Sequence, residues 1–147
     1  IESLHILMKY YLKKFVIENR GYILNVASSA GLMPAGPYMS TYYATKAYVT
    51  SLTSGVAKEL RDKKSKVVVS ALCPGPVDTE FNDVANCSFD IGSIGPDQCA
   101  REALEGLFKG KVIIIPSTKM RLANKLSKFV PRDILIGICG RQQKKKI

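Results

Sequence analysis

Little in this chain is suited to holding a metal or crossing a membrane. It has a single histidine, His5, and its four cysteines, Cys73, Cys87, Cys99 and Cys139, contain no Cys-x-x-Cys pair. A zinc site of the usual ligand spacing is therefore not expected, and the thiols read as reduced cysteines of a cytoplasmic protein. The longest apolar runs, Val67–Cys73 and Val112–Ile115, fall well short of the roughly 20 residues that a membrane-spanning helix needs. There is no internal repeat, and the one low-complexity stretch is Lys144-Lys145-Lys146.

Acidic residues are scarce in one region. Residues 1–116 carry 13 Lys/Arg and 11 Asp/Glu, a net of +2, whereas residues 117–147 carry nine Lys/Arg and only Asp133, a net of +8. This divides the chain into a nearly neutral unit over 1–116 and a basic C-terminal helix and tail over 117–147. The basic end reads as a solvated helix face followed by a disordered tail. The alternative is a membrane surface, met through the basic helix and Ile134-Leu135-Ile136; nucleic acid is not expected as a partner.

What is present is ordinary material for one soluble domain: 147 residues, 46% hydrophobic, enough for a sizeable core. Leu4, Leu7, Met8, Tyr11, Leu12, Phe15 and Val16 recur at helical spacing with Lys9, Lys13 and Lys14 opposite, which predicts an amphipathic helix over 2–18. Asn19-Arg20-Gly21 stops it. A short apolar strand over Tyr22–Ala27 follows, then a loop with Gly31, Pro34, Gly36 and Pro37. A long helix runs from Met39 or Ser40 to about Asp62, with Val49, Leu52, Val56 and Leu60 apolar.

Val67–Cys73 is a near-continuous apolar strand without polar alternation, the pattern of a strand buried on both faces of a parallel sheet. Pro74-Gly75-Pro76 ends it, and the polar segment 78–95 is read as mobile chain over a site. Pro96 opens a helix to about Phe108, Val112–Ile115 is the last strand, and Met120, Ala123, Leu126 and Phe129 predict one more amphipathic helix. Alternating helices and buried strands give an α/β, doubly wound parallel sheet. In such sheets ligands bind outside the carboxyl ends of the strands, where Ser28 and the Pro74–Thr79 turn both fall.

The residues at those ends are chemically suggestive. Tyr42 and Lys46, four apart at the start of the long helix, share a helix face. An ammonium held beside a phenol favours the phenolate, and a serine at a strand end nearby could orient an oxygen between itself and the tyrosine. That is general acid–base chemistry on an alcohol or a carbonyl. Tyr43 is the rival position, but only Tyr42 has a lysine four residues on.

Three motifs in order, Asn25-Val26-Ala27-Ser28-Ser29-Ala30-Gly31, Tyr42-x-x-x-Lys46 and Cys73-Pro74-Gly75-Pro76-Val77-Asp78-Thr79, resemble the active-site region of the short-chain dehydrogenase/reductase family. The resemblance covers Ile1 to about Pro116. It implies a Rossmann-like fold of which this chain holds the C-terminal portion, since no Gly-x-x-x-Gly-x-Gly or Gly-x-Gly-x-x-Gly loop is present to cradle a dinucleotide pyrophosphate.

By the same resemblance Ser28, Tyr42 and Lys46 are catalytic, with Ser29 as the alternative serine. Tyr42, Lys46, Pro74, Gly75, Val77 and Thr79 would hold the nicotinamide end of NAD or NADP, the choice between the two remaining open. The family's further active-site asparagine would lie upstream of Ile1; Asn25 reads as structural and His5 as a helix-surface residue. The implied activity is oxidoreduction of a small alcohol or ketone in a homodimer or homotetramer, associating through Leu4-Leu7-Tyr11 and Val49-Leu52-Val56, with the chain alone not expected to turn over. The other reading is a catalytically silent half-fold that serves as a binding or scaffold protein.

Overall fold

The computed structural model describes residues 1–79 and 92–144. Three parallel strands, β1 (Tyr22–Val26), β2 (Val68–Leu72) and β3 (Ile113–Ile114), lie in the order β1-β2-β3. Tyr22 faces Val68 at one end of the first pair and Val26 faces Leu72 at the other; Ala71 and Leu72 face Ile113 and Ile114. The helices are α1 (Glu2–Glu18), α2 (Ser40–Asp62), α3 (Pro96–Phe108), α4 (Thr118–Ser127) and α5 (Arg132–Lys144), with a 3-10 turn over Ser29–Leu32. The α/β parallel architecture expected from the buried strands is therefore present.

Side chains alternate across the sheet, as a strand's period of two requires. On one side, Val67 and Val69 join Met8 of α1 and Leu60 of α2, with Leu52 and Val56 packed against them. Ala71 and Cys73 continue that face with Ala27 and Val49. On the other side, Leu72 and Ile114 pack on Cys99, Ala103 and Leu107 of α3. β2 is the centre of both layers, and Ser70, Ala71 and Cys73 are completely enclosed. Cys73, Cys99 and Cys139 are buried free thiols; Cys87 and most of the polar 78–95 segment lie outside the described residues.

Two expectations are corrected. Val49, Leu52 and Val56 do not form a free association face, because that stripe of α2 is the one seated on the sheet. An apolar stripe has to be covered, and the chain's own strands are the nearest cover. Secondly, where one helix was expected, the described part of the basic end, up to Lys144, holds two, α4 and α5; the last residues of the expected tail, 145–147, lie outside the described residues. In α5, Cys139, Gly140 and Gln143 are buried, and Cys139 packs with Ala30 and Tyr43.

One polar contact joins the layers from inside. Asn25, buried in β1, donates through Nδ2 to Thr53 Oγ1 of α2 at 2.9 Å and approaches Met8 Sδ of α1 at 3.2 Å. The strand-end asparagine is thus structural. Replacing Thr53 with valine keeps the volume but leaves the buried amide without its oxygen partner, so denaturant unfolding should show a loss of about 1–3 kcal/mol.

Candidate active site

The loop leaving β1 is fixed to the loop leaving β2 by backbone bonds. The Ala27 amide donates to the Leu72 carbonyl at 2.8 Å and the Ser29 amide to the Pro74 carbonyl at 2.8 Å. Ser28 caps the 3-10 turn, its Oγ accepting from the Ala30 amide at 3.2 Å. That acceptor role leaves the Ser28 hydroxyl hydrogen available for a ligand oxygen.

Helix α2 then delivers Tyr42 and Lys46 to the same end of the sheet. Lys46 Nζ donates to the Val26 carbonyl at 3.2 Å, and it stands 5.7 Å from the centroid of the Tyr42 ring, within cation–π range. Burial lowers the Lys46 ammonium below its ordinary 10.5, and Cys73 acts against that shift. Burial likewise pushes the Cys73 thiol up, opposed by the Thr50 hydroxyl, the Ser28 backbone and Lys46. Cys73 is thus a neutral floor beneath the lysine rather than a nucleophile.

The two adjacent tyrosines have different surroundings. Tyr43 is buried among Ala30, Cys139, Met33 and Met39, and its hydroxyl accepts from Gln143 Nε2 of α5 at 3.1 Å. Burial pushes its phenol up to about 12, with the Gln143 hydrogen bond pulling the other way. Tyr42 is half-buried and carries its ring beside Lys46.

Ser28, Tyr42, Lys46, Pro74, Gly75, Val77 and Thr79 all line one cavity of about 640 Å³ at the carboxyl ends of β1 and β2; Ser29 lines it too. Thr79, at its exposed margin, points its Oγ1 to the Val77 carbonyl at 3.5 Å. His5 is on the helix surface, its Nδ1 2.6 Å from the Tyr48 hydroxyl.

The far wall was not expected. Met120, Ala123 and Leu126 of α4 and Leu135, Ile138 and Gln143 of α5 complete the cavity. The signal for α4 was legible as its apolar period, but that period does not say what the face covers. For α5 the separation of Tyr43 and Gln143, 100 residues, put the contact beyond any local pattern.

The short chain dehydrogenase family model matches residues 1–88, which contain Ser28, Tyr42, Lys46 and the Pro74–Thr79 turn. The chain belongs to the short-chain dehydrogenase family. It is similar to the very-long-chain 3-oxoacyl-CoA reductase of Anas platyrhynchos, 31% identical over 125 residues, covering 76% of this chain and 39% of that protein. In fold it is similar to a 7beta-hydroxysteroid dehydrogenase, with a TM-score of 0.78 at 23% identity over 95% of this chain and 54% of the other. A short-chain dehydrogenase from Sphingobium yanoikuyae, solved in complex with NADPH, shares 27% identity with a TM-score of 0.61, covering 80% of this chain and 47% of that one. The chain thus spans about half the length of these relatives, or less.

The Tyr43 environment has a consequence for stability. Its folded value near 12 lies above the ordinary 10.0, so between the two the unfolded chain holds fewer protons than the folded one. The contribution is full below about pH 10 and is lost as pH rises towards 12. Thermal melts across that window should fall less steeply for Tyr43→Phe than for the parent chain.

Proposed function

We propose that this chain carries the catalytic half of an NAD(P)-dependent oxidoreductase that interconverts an alcohol and a carbonyl. The observation that supports it most is the convergence of Ser28, Tyr42, Lys46 and the Pro74–Thr79 turn on one cavity at the strand ends. Family membership and the likeness to an NADPH-bound relative point the same way.

The side chains present fit the nicotinamide end of a dinucleotide. Lys46 has three N–H donors, of which the Val26 carbonyl takes one, leaving donors for ribose hydroxyls. Gly75 and Val77 carry backbone amides and Thr79 a hydroxyl, groups of the kind a carboxamide uses, while Pro74 and Pro76 contribute carbonyls and no N–H. Selection between NAD and NADP is made at the adenosine ribose, away from these residues.

A bound nicotinamide supplies the hydride chemistry, and the protein supplies orientation and proton handling. Ser28 donates its hydroxyl hydrogen to the reacting oxygen and fixes its position. Tyr42 gives a proton to that oxygen as a carbonyl is reduced and takes it back as an alcohol is oxidised. Lys46 places a positive charge beside the ring on which negative charge develops when the proton leaves.

Tyr42→Phe in the complete enzyme should lower turnover by about 10²–10⁴-fold while cofactor affinity, read by fluorescence titration, stays nearly unchanged. Tyr43→Phe should keep turnover. The reverse outcome moves the acid–base role to Tyr43, and a chain that binds no dinucleotide at all is instead the silent scaffold.

The active protein is read as a homodimer or homotetramer. In α1 Ile6, Leu7, Tyr10 and Tyr11 are exposed, a concentration of apolar surface that monomers seldom leave bare. Light scattering of the complete protein at micromolar concentration should give twice or four times the monomer mass, and Leu7→Glu/Tyr11→Glu should reduce it.

A further inference from the structure

We propose that α4 and α5 form a docking surface for an anionic phospholipid bilayer, with the cavity opening against it. Leu122 and Leu126 of α4 and Phe129 just beyond it follow one another at helical spacing on one face, and all three are exposed. Ile134 and Ile138, one turn apart on α5, are exposed as well. Leu126 and Ile138 line the cavity and yet remain 57% and 38% exposed. Side chains that belong both to the wall and to the surface mark the cavity's rim.

The exposed charge of these two helices and the turn between them is mostly of one sign. Lys119, Lys125, Lys128, Arg132, Arg141 and Lys144 are exposed, while Asp133 is the acid of residues 117–147. Arg121 is already engaged, 2.7 Å from Glu102. A second copy of this chain would set cation against cation, and a neutral protein face would leave the cations unmatched. An anionic lipid surface satisfies both features at once: its phosphates meet the lysines and arginines, and its acyl boundary takes up the exposed leucines, isoleucines and phenylalanine.

Among the described residues no helix is long and apolar enough to cross a bilayer, so these helices lie on the surface. An apolar compound dissolved in the bilayer would then reach the cavity past Leu126 and Ile138 without crossing water. The surface is read from α4 and α5 alone, and its test needs no turnover, so it stands or falls separately from the proposed chemistry.

The test is co-sedimentation of the full-length protein with vesicles of phosphatidylcholine and phosphatidylserine, against phosphatidylcholine alone. Binding should require phosphatidylserine, weaken with added salt, and fall on the order of tenfold or more in Lys125→Glu/Lys128→Glu. Phe129→Ser should also weaken it, with circular dichroism unchanged in both variants. Equal binding to the two vesicle types, or binding untouched by the charge reversal, overturns the proposal. So does a dimer, seen by sedimentation velocity, that Phe129→Ser dissociates while vesicle binding is unaffected; the face would then belong to a second copy.

Discussion

The seating of α2 on the end of β1 is the contact on which the site depends. At Gly31 an added Cβ would stand 2.5 Å from the Lys46 carbonyl oxygen and 2.6 Å from Thr50 Oγ1, so only hydrogen fits between the serine loop and the helix. Lys46 closes the same junction from the other side by reaching the Val26 carbonyl. The loop that bears Ser28 and the turn that bears Tyr42 and Lys46 are thereby one rigid unit. Pre-set geometry of this kind is what acid–base catalysis requires, because a misplaced donor loses its effect over a fraction of an ångström.

Beneath that junction the chemistry is kept quiet by burial. Asn25 and Thr53 satisfy each other inside the sheet–helix layer, and the Thr50 hydroxyl bonds back to the Lys46 carbonyl at 2.8 Å. Buried polar groups without partners are costly, so these two threonines let a polar site sit directly on an apolar core. Cys73 completes the arrangement as a neutral thiol whose burial resists ionisation. The lysine therefore faces no fixed anion among these neighbours that would hold it away from a ligand.

How much of this could be read from the sequence follows from the range of each interaction. The four-residue spacing of Tyr42 and Lys46, the unbroken run at Val67–Cys73 and the Pro74-Gly75-Pro76 stop are local; the run contains β2, the stop follows the strand's carboxyl end, and Tyr42 and Lys46 lie at the start of α2 and line the cavity there. The direction of the Val49–Leu52–Val56 stripe was not legible, since helical periodicity identifies a face without naming what covers it. The second C-terminal helix was missed for a related reason. Gly137 and Gly140 interrupt its apolar pattern, and its fixed points, Cys139 on Ala30 and Tyr43 and Gln143 on the Tyr43 hydroxyl, exist only once the chain has folded back.

That fold-back also explains why neighbouring tyrosines can differ so much. An added Cβ at Gly140 would meet Pro37 at 3.2 Å, and one at Gly36 would meet the Tyr43 ring at 2.2 Å. Two small residues thus let α5 and the loop before α2 close on Tyr43 from both sides. The enclosed phenol gains packing and a hydrogen bond but becomes harder to ionise, which suits a structural anchor and not a proton carrier. Its neighbour is turned by the helix onto the cavity, beside a lysine. The same close packing that encloses Tyr43 therefore fixes the helix turn that carries Tyr42 beside Lys46.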